Sequence, residues 1–146
     1  MIYLIPNLND PFATYLKDDP VRPHIPHEQR FGDNKKVFAL TEDNNVKAVV
    51  CAKLCSKIPS TEEELLADNT DTPDTAVFYT IWSYSPGAGQ KLIREGLQKV
   101  QAELPHVKRF VTLSPTTELA KRFHLKNGAE VFRINNDTVN YEYKNH

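Results

Sequence analysis

The sequence predicts an α/β protein built around a buried strand, a glycine turn and an amphipathic helix. Residues 76–83 are β-branched and aromatic without polar alternation, so they predict a strand covered on both faces. Pro86–Gly89 end this strand, and apolar residues at helical spacing follow from about Gly89. Strand hairpins lie on both sides of this unit, and a second strand-to-helix unit follows it. The pattern therefore indicates a sheet with helices packed on it.

Composition limits the classes of function. A chain of 146 residues with 40% hydrophobic and 25% charged residues predicts one globular domain over residues 1–146. The net charge of −1 offers no extended basic face for nucleic acid, although Lys121, Arg122 and Lys126 form a local basic patch. No apolar run reaches the length of a membrane span, and the N-terminus has no basic leader. We therefore expect a cytoplasmic protein that binds neither nucleic acid nor membrane, and a homodimer is left open.

The cysteines and histidines do not predict a metal site. Cys51 and Cys55 fall in one predicted strand, where four residues separate them too far for a disulfide. Reduced thiols are expected, ahead of a catalytic or metal-binding role. His24 and His27 have no further ligands at a supportive spacing, so no metal is expected.

Residues 1–31 hold five of the ten prolines of the chain. Proline restricts helices and lacks a backbone donor, so we expect turns and extended chain apart from a short helix near Phe12–Lys17. Arg22, His24 and His27 are interpreted as solvated loop residues. The alternative is that Arg22 reaches over an acidic substrate.

A hairpin and a short helix come next. Residues 37–41 and 46–57 predict antiparallel strands joined by a turn at Glu42–Asn45. Ser60 and Glu63 match a capping box ahead of an apolar run, so a helix of about two turns should begin there. Residues 69–74 predict an exposed loop without a chemical role.

The glycine turn after the central strand predicts an anion site. The first N–H groups of a helix lack intrahelical acceptors, glycine allows close approach, and the helix dipole attracts an anion. The residues expected to line this site are Ser83, Tyr84, Gly87, Ala88, Gly89, Gln90 and Lys91. The alternative is that the glycines serve only a tight turn.

The second strand-to-helix unit carries a serine and a histidine. Pro105 ends the first helix, and residues 107–113 predict a buried strand. Ser114 followed by Pro115 predicts a helix N-cap, with the helix over residues 116–126.

The end of the chain predicts a hairpin. Asn127-Gly128 should close the preceding helix. Residues 129–134 and 138–143 predict strands joined at 135–137, where Asn135 and Asn136 tolerate the left-handed conformation of a tight turn.

This order of elements resembles the GNAT superfamily of acyl-CoA enzymes. GAGQKLI is similar to the second half of its pyrophosphate motif, Q/R-x-x-G-x-G/A. Tyr84 stands where the family usually has glutamine or arginine, and His124 stands where a tyrosine usually protonates the leaving thiolate. The resemblance implies a mixed, mostly antiparallel central sheet with helices on both faces, and coenzyme A or an acyl-CoA as the bound molecule.

A narrower resemblance is to the catalytic domain of malonyl-CoA decarboxylase, which has the same fold. AVFYTIW, LIREGLQKVQAELPHVKRFVTLSP, FHLKNGAEVFRIN and VNYEY are similar to successive blocks of that family over residues 37–143. By this resemblance Ser114 and His124 correspond to its catalytic serine and histidine. The sequence has no counterpart of the family's N-terminal helical domain, of the insertion between the catalytic blocks, or of a stretch before VNYEY.

The expected reaction is decarboxylation of malonyl-CoA. The site for this reaction must hold coenzyme A, stabilise an enolate and deliver a proton. His124, with an unperturbed pKa of about 6.5, would protonate carbon near neutral pH. Ser114 would donate a hydrogen bond to the carboxylate or the thioester oxygen, and Tyr141 would line the site.

Each of these roles has a structural alternative. Ser114 is explained as a helix N-cap, His124 as a partly buried residue near a helix C-terminus, and Tyr141 as a half-buried strand residue. Two other functions also remain: an acyltransferase that passes an acetyl group to an amine, and a catalytically silent module that binds coenzyme A.

Overall fold

A computed structural model describes residues 1–67 and 72–144, and its centre is a β-sheet. The strands are β1 (Ile2–Ile5), β2 (Lys35–Glu42), β3 (Asn45–Cys55), β4 (Thr75–Ser83), β5 (Arg109–Thr112), β6 (Ser114–Pro115), β7 (Ala129–Ile134) and β8 (Thr138–Tyr143). The helices are α1 (Glu62–Leu66), α2 (Ala88–Glu103) and α3 (Glu118–Lys126), and 3-10 helices cover Pro11–Asp18 and His27–Arg30. The strand order is β1-β2-β3-β4-β5-β8-β6, with β7 paired to β8.

The strand pairing confirms a mixed, mostly antiparallel sheet. β4 and β5 are parallel and pair over Thr75–Phe78 and Arg109–Thr112. The other strand pairs of the described residues are antiparallel. Because parallel neighbours need a crossover connection, α2 runs across one face of the sheet between β4 and β5.

A β-bulge in β4 precedes a gap in the sheet. Cys51 and Ala52 of β3 pair with Thr80 and Phe78 of β4, which leaves Tyr79 as an extra residue. Bulges bend the strand that carries them. The pairing of β4 with β5 also ends at Phe78, so the two strands part there. We name this gap between β4 and β5 the strand opening.

Two hydrophobic cores lie on opposite faces of the sheet. The face that carries α2 and α3, named the α2 face, buries apolar side chains that include Phe78, Leu92, Leu97, Val139 and Tyr141. The opposite face, named the N-terminal face, is covered by the first 31 residues and α1, with buried side chains that include Leu16, Ile25 and Leu65. Helices therefore cover both faces, as the resemblance implied.

The N-terminal segment is more regular than its prolines predict. Ile2–Ile5 add an edge strand to β2, an element that the proline pattern did not indicate. The helix expected near Phe12–Lys17 is a 3-10 helix over Pro11–Asp18, and the Asp10 carboxylate accepts the Phe12 N–H at its start.

The start of α3 corrects the prediction for Ser114. Ser114–Pro115 form β6 and pair with β8, so Ser114 is not a helix N-cap. Thr117 takes that role, because its hydroxyl accepts the Ala120 N–H at 3.2 Å. The acidic Glu118 in the first turn also favours a helix that starts after Thr117.

The start of α1 is also shifted by one residue from the prediction. The Thr61 hydroxyl accepts the Glu64 N–H, and the Glu64 carboxylate accepts the Ser60 N–H. The helix covers only Glu62–Leu66, which is shorter than the two turns expected. Of the predicted loop 69–74, residues 69–71 lie outside the described residues.

The two hairpin turns differ in backbone conformation. Asp43 and Asn44 have φ values of 52° and 65°, as tight hairpin turns require. Asn135 and Asn136 have no positive φ, so the left-handed conformation predicted there is wrong. That turn is closed instead by the Asn135 N–H, which donates to the Thr138 carbonyl at 2.9 Å.

Both cysteines and the tryptophan are buried. Cys51 and Cys55 are free and buried, and Trp82 is buried at 8% exposure. None of the described helices is long and apolar enough to cross a membrane.

Candidate active site

The glycine turn at the start of α2 forms an open backbone cradle. Gly87 has φ 79°, a left-handed conformation that favours glycine, and it precedes the first helical residue. A Cβ added at Gly87 would meet none of the described residues within 4 Å. Among these residues no side chain caps the N-terminus of α2, and its first turn has no acidic residue, so its N–H groups suit an anion.

Gly89 has a packing role that the sequence did not reveal. A Cβ added there would lie 3.2 Å from the Phe123 ring of α3, which is tighter than ordinary contact. The absence of a side chain therefore lets α3 pack against the first turn of α2. This contact places α3, in which His124 follows Phe123, against the first turn of α2.

Tyr84 has its hydroxyl engaged by other side chains. It donates to the Asp18 carboxylate at 2.8 Å and accepts from the Trp82 indole at 2.9 Å. Partial burial and the nearby Asp18 carboxylate raise the pKa of Tyr84 to about 12. Its ring lies edge-on to Tyr15 at 5.5 Å. Tyr84 therefore ties the cradle to the N-terminal segment.

The remaining predicted cradle residues lie around the first turn of α2. Ala88 N–H donates to the Ser85 carbonyl, and Ser83 Cβ lies 4.0 Å from the position of an added Gly89 Cβ. Lys91 Nζ lies 3.2 Å from Glu42, and both side chains are partly exposed. Gln90 lines a groove between α2 and the end of α3.

His124 lies on α3 in a box of aromatic rings. It is 5% exposed and stacks on Tyr141, with ring centroids 5.1 Å apart and planes at 30°. Its Nδ1 lies 2.7 Å from the Tyr143 hydroxyl. Burial lowers the pKa of His124 to about 4, so the imidazole is neutral at physiological pH. The expectation of an unperturbed pKa is therefore wrong, because the rings exclude water.

Ser114 lies two residues after the end of β5, beside the strand opening, and is 4% exposed. Its hydroxyl donates to the Thr112 hydroxyl at 2.7 Å, and Thr112 in turn accepts the Tyr141 N–H at 3.1 Å. Thr112 was not predicted, although it lies two residues before Ser114 and the period of a strand places both on one face.

The structure brings Ser114, Tyr141 and His124 to one face of the sheet. Ser114 pairs directly with Val139 of β8, whose side chain belongs to the core of the α2 face together with Tyr141. The Tyr141 ring then contacts His124. Ser114 and His124 are thus connected through Thr112 and Tyr141, on the face that carries the cradle.

Arg22 spans the strand opening from the N-terminal face. Its Nε donates to the Tyr79 carbonyl and its Nη2 to the Leu113 carbonyl, both at 3.0 Å. Its Nη1 lies 2.6 Å from Glu62, and the side chain is buried. The expectation of a solvated Arg22 is therefore wrong, whereas His24, which also contacts Glu62, has a largely exposed side chain.

A polar cavity adjoins Arg22 on the N-terminal face. It has a volume of about 610 Å³ and is lined by Arg22, Ser60, Thr61, Glu62 and residues 135–138 of the last hairpin. Within the part of the chain that the structure describes, no group of three His, Cys, Asp or Glu side chains could hold a metal ion.

The burial of His124 predicts a pH-dependent stability. Its pKa is about 4 in the folded chain and 6.5 without burial, so the unfolded state binds the proton first as the pH falls. The free energy of unfolding should therefore drop by about 2 kcal/mol from this residue between about pH 7.5 and about pH 5. Urea denaturation at both pH values should show this loss in the wild type. In His124→Phe it should be absent, and an equal loss in both proteins would contradict a buried neutral imidazole.

A family model matches the chain. The model of the malonyl-CoA decarboxylase C-terminal domain matches residues 39–121, more than half of the chain. Ser114 lies inside this range, whereas His124 and Tyr141 follow its end. A sequence search of curated proteins finds no match.

Solved structures share the fold. A malonyl-CoA decarboxylase from Cupriavidus metallidurans matches with a TM-score of 0.73 and 17% identity, over 98% of this chain and 60% of that chain. A protein assigned to the GNAT family from Desulfovibrio desulfuricans matches with a TM-score of 0.66 and 14% identity, over 99% of this chain and 98% of that chain. The PaiA N-acetyltransferase from Thermoplasma acidophilum, in complex with coenzyme A, matches with a TM-score of 0.56 and 11% identity, over 77% of this chain and 62% of that chain.

These likenesses show that the fold is the GNAT fold. The chain spans 35% to 60% of the length of the malonyl-CoA decarboxylase structures that it matches.

Proposed function

The chain belongs to the malonyl-CoA decarboxylase family, and we propose that it binds malonyl-CoA and decarboxylates it to acetyl-CoA. The observation that carries the proposal is the neutral, buried His124 on the same face of the sheet as Ser114 and the cradle. Family membership supports the substrate class, and the arrangement of these residues supports the reaction.

The cradle would hold the pyrophosphate of coenzyme A. The first-turn N–H groups of α2 and the positive end of its dipole favour a bound anion, and Lys91 adds a cation beside them. The coenzyme A bound by the structurally similar PaiA N-acetyltransferase supports this class of ligand. The edge of β4 beyond Phe78, which β5 no longer covers, would pair with the amide groups of the pantetheine arm.

The reaction requires one bond to break and one to form. Loss of CO2 breaks the bond between the carboxylate and the α-carbon and leaves its electron pair as a thioester enolate. A proton then adds to the α-carbon to give acetyl-CoA. In the proposed site the Ser114 hydroxyl turns from Thr112 to the substrate and donates a hydrogen bond to the thioester oxygen, where negative charge develops. His124 delivers the proton from a ring N–H and recovers one from solvent water, so that the imidazole returns to its neutral state.

The neutral state of His124 suits this role. An imidazolium would pair with the malonyl carboxylate and stabilise the substrate, whereas a neutral ring does not favour the ground state in this way. The aromatic surroundings of His124 also disfavour an ionised carboxylate, so loss of CO2 relieves that cost. Tyr141 fixes the plane of the imidazole by stacking.

The test of this function is incubation of the purified protein with malonyl-CoA alone. Acetyl-CoA and CO2 should form together without any acceptor molecule, as followed by chromatography and CO2 trapping. Bound but unchanged malonyl-CoA would leave the silent coenzyme A-binding module as the function instead.

Lys91 provides a prediction for coenzyme A binding. Lys91→Met removes the cation at the fourth residue of α2, and we expect about fivefold weaker binding at low salt, with a smaller effect at high salt. The matched control is Lys99→Met on the same helix, which also loses an ion pair with a glutamate, Glu103. Isothermal titration measures both, and equal weakening in the two variants would argue against a phosphate at the cradle.

A second candidate function is acyl transfer to an amine. The observation that favours it is the cavity on the N-terminal face, which presents the Glu62 and Asp137 carboxylates and opens beside Arg22 at the strand opening. Carboxylates attract a protonated amine, which would have to displace Arg22 to meet the acyl group through the strand opening. Release of the coenzyme A thiol only after amines are added would favour this function over decarboxylation.

A further inference from the structure

We propose that Tyr143 is a positioning residue for His124, whose hydroxyl donates a hydrogen bond to Nδ1 and so keeps the proton of the imidazole on Nε2. The catalytic consequence rests on the proposed function, whereas the tautomer itself does not.

The geometry places the Tyr143 hydroxyl at one edge of the imidazole. Tyr143 ends β8, two residues after Tyr141, so both side chains lie on the α2 face. Its oxygen lies 2.7 Å from His124 Nδ1, which is hydrogen-bond distance. The two ring planes stand at 77°, so the phenol approaches as a neighbouring edge and does not stack.

The other rings around His124 cannot distinguish its two nitrogens. Tyr141 stacks on the face of the imidazole and Phe123 approaches edge-on at 5.2 Å. Such contacts fix the plane of the imidazole ring. They do not determine which nitrogen lies at which edge, or which nitrogen carries the proton. Among the contacts described for the imidazole, the Tyr143 hydroxyl is the polar one, and it alone can select a nitrogen.

Basic chemistry favours the phenol as the donor. A neutral imidazole has one N–H donor and one basic nitrogen acceptor. A phenol O–H is more acidic than an imidazole N–H, and the bare ring nitrogen is more basic than a phenol oxygen. A hydrogen bond from the phenol O–H to a bare Nδ1 is therefore stronger than one from Nδ1–H to the phenol oxygen. It leaves Nε2–H at the opposite edge of the ring as the donor available to a substrate.

Tyr143 also lies beside a groove, although the residue is only 3% exposed. The groove has a volume of about 500 Å³ and lies between α2 and the end of α3, where Gln90, Ile93, Arg94 and Lys126 also line it. Phenylalanine keeps the ring of Tyr143 and removes one oxygen, so the packing volume around His124 changes little. Tyr143→Phe is therefore a variant in which the ring packing of His124 should persist.

The experiment is nitrogen NMR of protein labelled with 15N-histidine. In the wild type, the His124 signals, assigned by their loss in His124→Gln, should show a protonated Nε2 and a bare Nδ1. Tyr143→Phe should convert them to a mixture of both tautomers. The matched control is Tyr141→Phe, which also loses one hydroxyl from a ring in contact with His124 and should retain the single tautomer.

Two results would overturn the proposal: a protonated Nδ1 in the wild type, or unchanged His124 signals in Tyr143→Phe. With malonyl-CoA as substrate, Tyr143→Phe should lower kcat about tenfold at nearly constant KM, and an unchanged kcat would remove the catalytic role. If the wild type shows the expected tautomer but no turnover, the proposed function fails while the assignment of Tyr143 stands.

Discussion

Replacing Arg30 with methionine is expected to lower the free energy of unfolding by about 3–5 kcal/mol, because it leaves a buried carboxylate without its partner. Arg30 is fully buried, and its Nη1 lies 2.7 Å from Asp19. Its Nη2 donates to the carbonyls of Arg22 and Ile25. The substitution therefore removes a charge and several hydrogen bonds that hold residues 19–30 together.

Asp19 would be left in a costly state. Burial by itself would raise the pKa of Asp19, but hydrogen bonds from the Arg22 N–H, from Arg30 and from Thr80 outweigh it and lower the pKa. Without Arg30 the carboxylate loses one of these bonds and stays buried. We expect Arg22, which depends on the same segment, to lose its fixed position across the strand opening.

Urea denaturation measures this effect against a matched control. Arg109→Met also removes an arginine from a carboxylate pair, with Glu142, but the Arg109 side chain is 41% exposed, so its removal opens the Glu142 carboxylate to water and the cost should be smaller than for Arg30→Met. The double variant Asp19→Asn with Arg30→Met should recover part of the loss, because no charge is then buried alone. An Arg30→Met protein as stable as Arg109→Met would refute the structural role of the buried pair.

His124→Gln is expected to reduce kcat for malonyl-CoA decarboxylation by about 10²–10³-fold. Glutamine keeps a similar length and an N–H donor, but its amide cannot release a proton to carbon at a useful rate. Binding of coenzyme A should be retained, because His124 is not part of the cradle. Steady-state kinetics together with titration of coenzyme A separate these two effects.

The control for this variant is His106→Gln. His106 is exposed after the end of α2, so the same chemical change there should leave kcat unchanged. A residual rate in His124→Gln close to that of His106→Gln would show that the proton comes from another group.

Local patterns were sufficient to predict most elements of the fold. The unbroken apolar character of residues 76–83, the glycine turn and the spacing of Leu92, Ile93 and Leu97 indicate a buried strand and a helix through short-range chemistry alone. The same holds for both hairpins. The predicted N-cap of α3 was wrong because Ser114 pairs with β8 as part of β6. Thr117 caps the helix instead, and the local sequence did not distinguish the two residues.

The parts of the site that sequence reasoning missed depend on distant contacts. Arg22 meets carbonyls that lie 57 and 91 residues away, and nothing in the pattern of the N-terminal segment indicates those partners. The low pKa of His124 has the same origin, since rings from β8 cause the burial. Gly89 was predicted as part of the anion site, and the structure adds a second reason for a glycine there, since a side chain would press on the Phe123 ring.

The central claim is that the residues of the α2 face decarboxylate malonyl-CoA without an acceptor. The most direct measurement follows malonyl-CoA in D2O, with the protein and no amine present, by mass spectrometry and CO2 release. The account predicts equal amounts of CO2 and acetyl-CoA. The acetyl methyl group should carry one deuterium, because a deuteron from the solvent replaces the carboxylate. Malonyl-CoA that stays intact while bound, or coenzyme A released only when an amine is added, would contradict it.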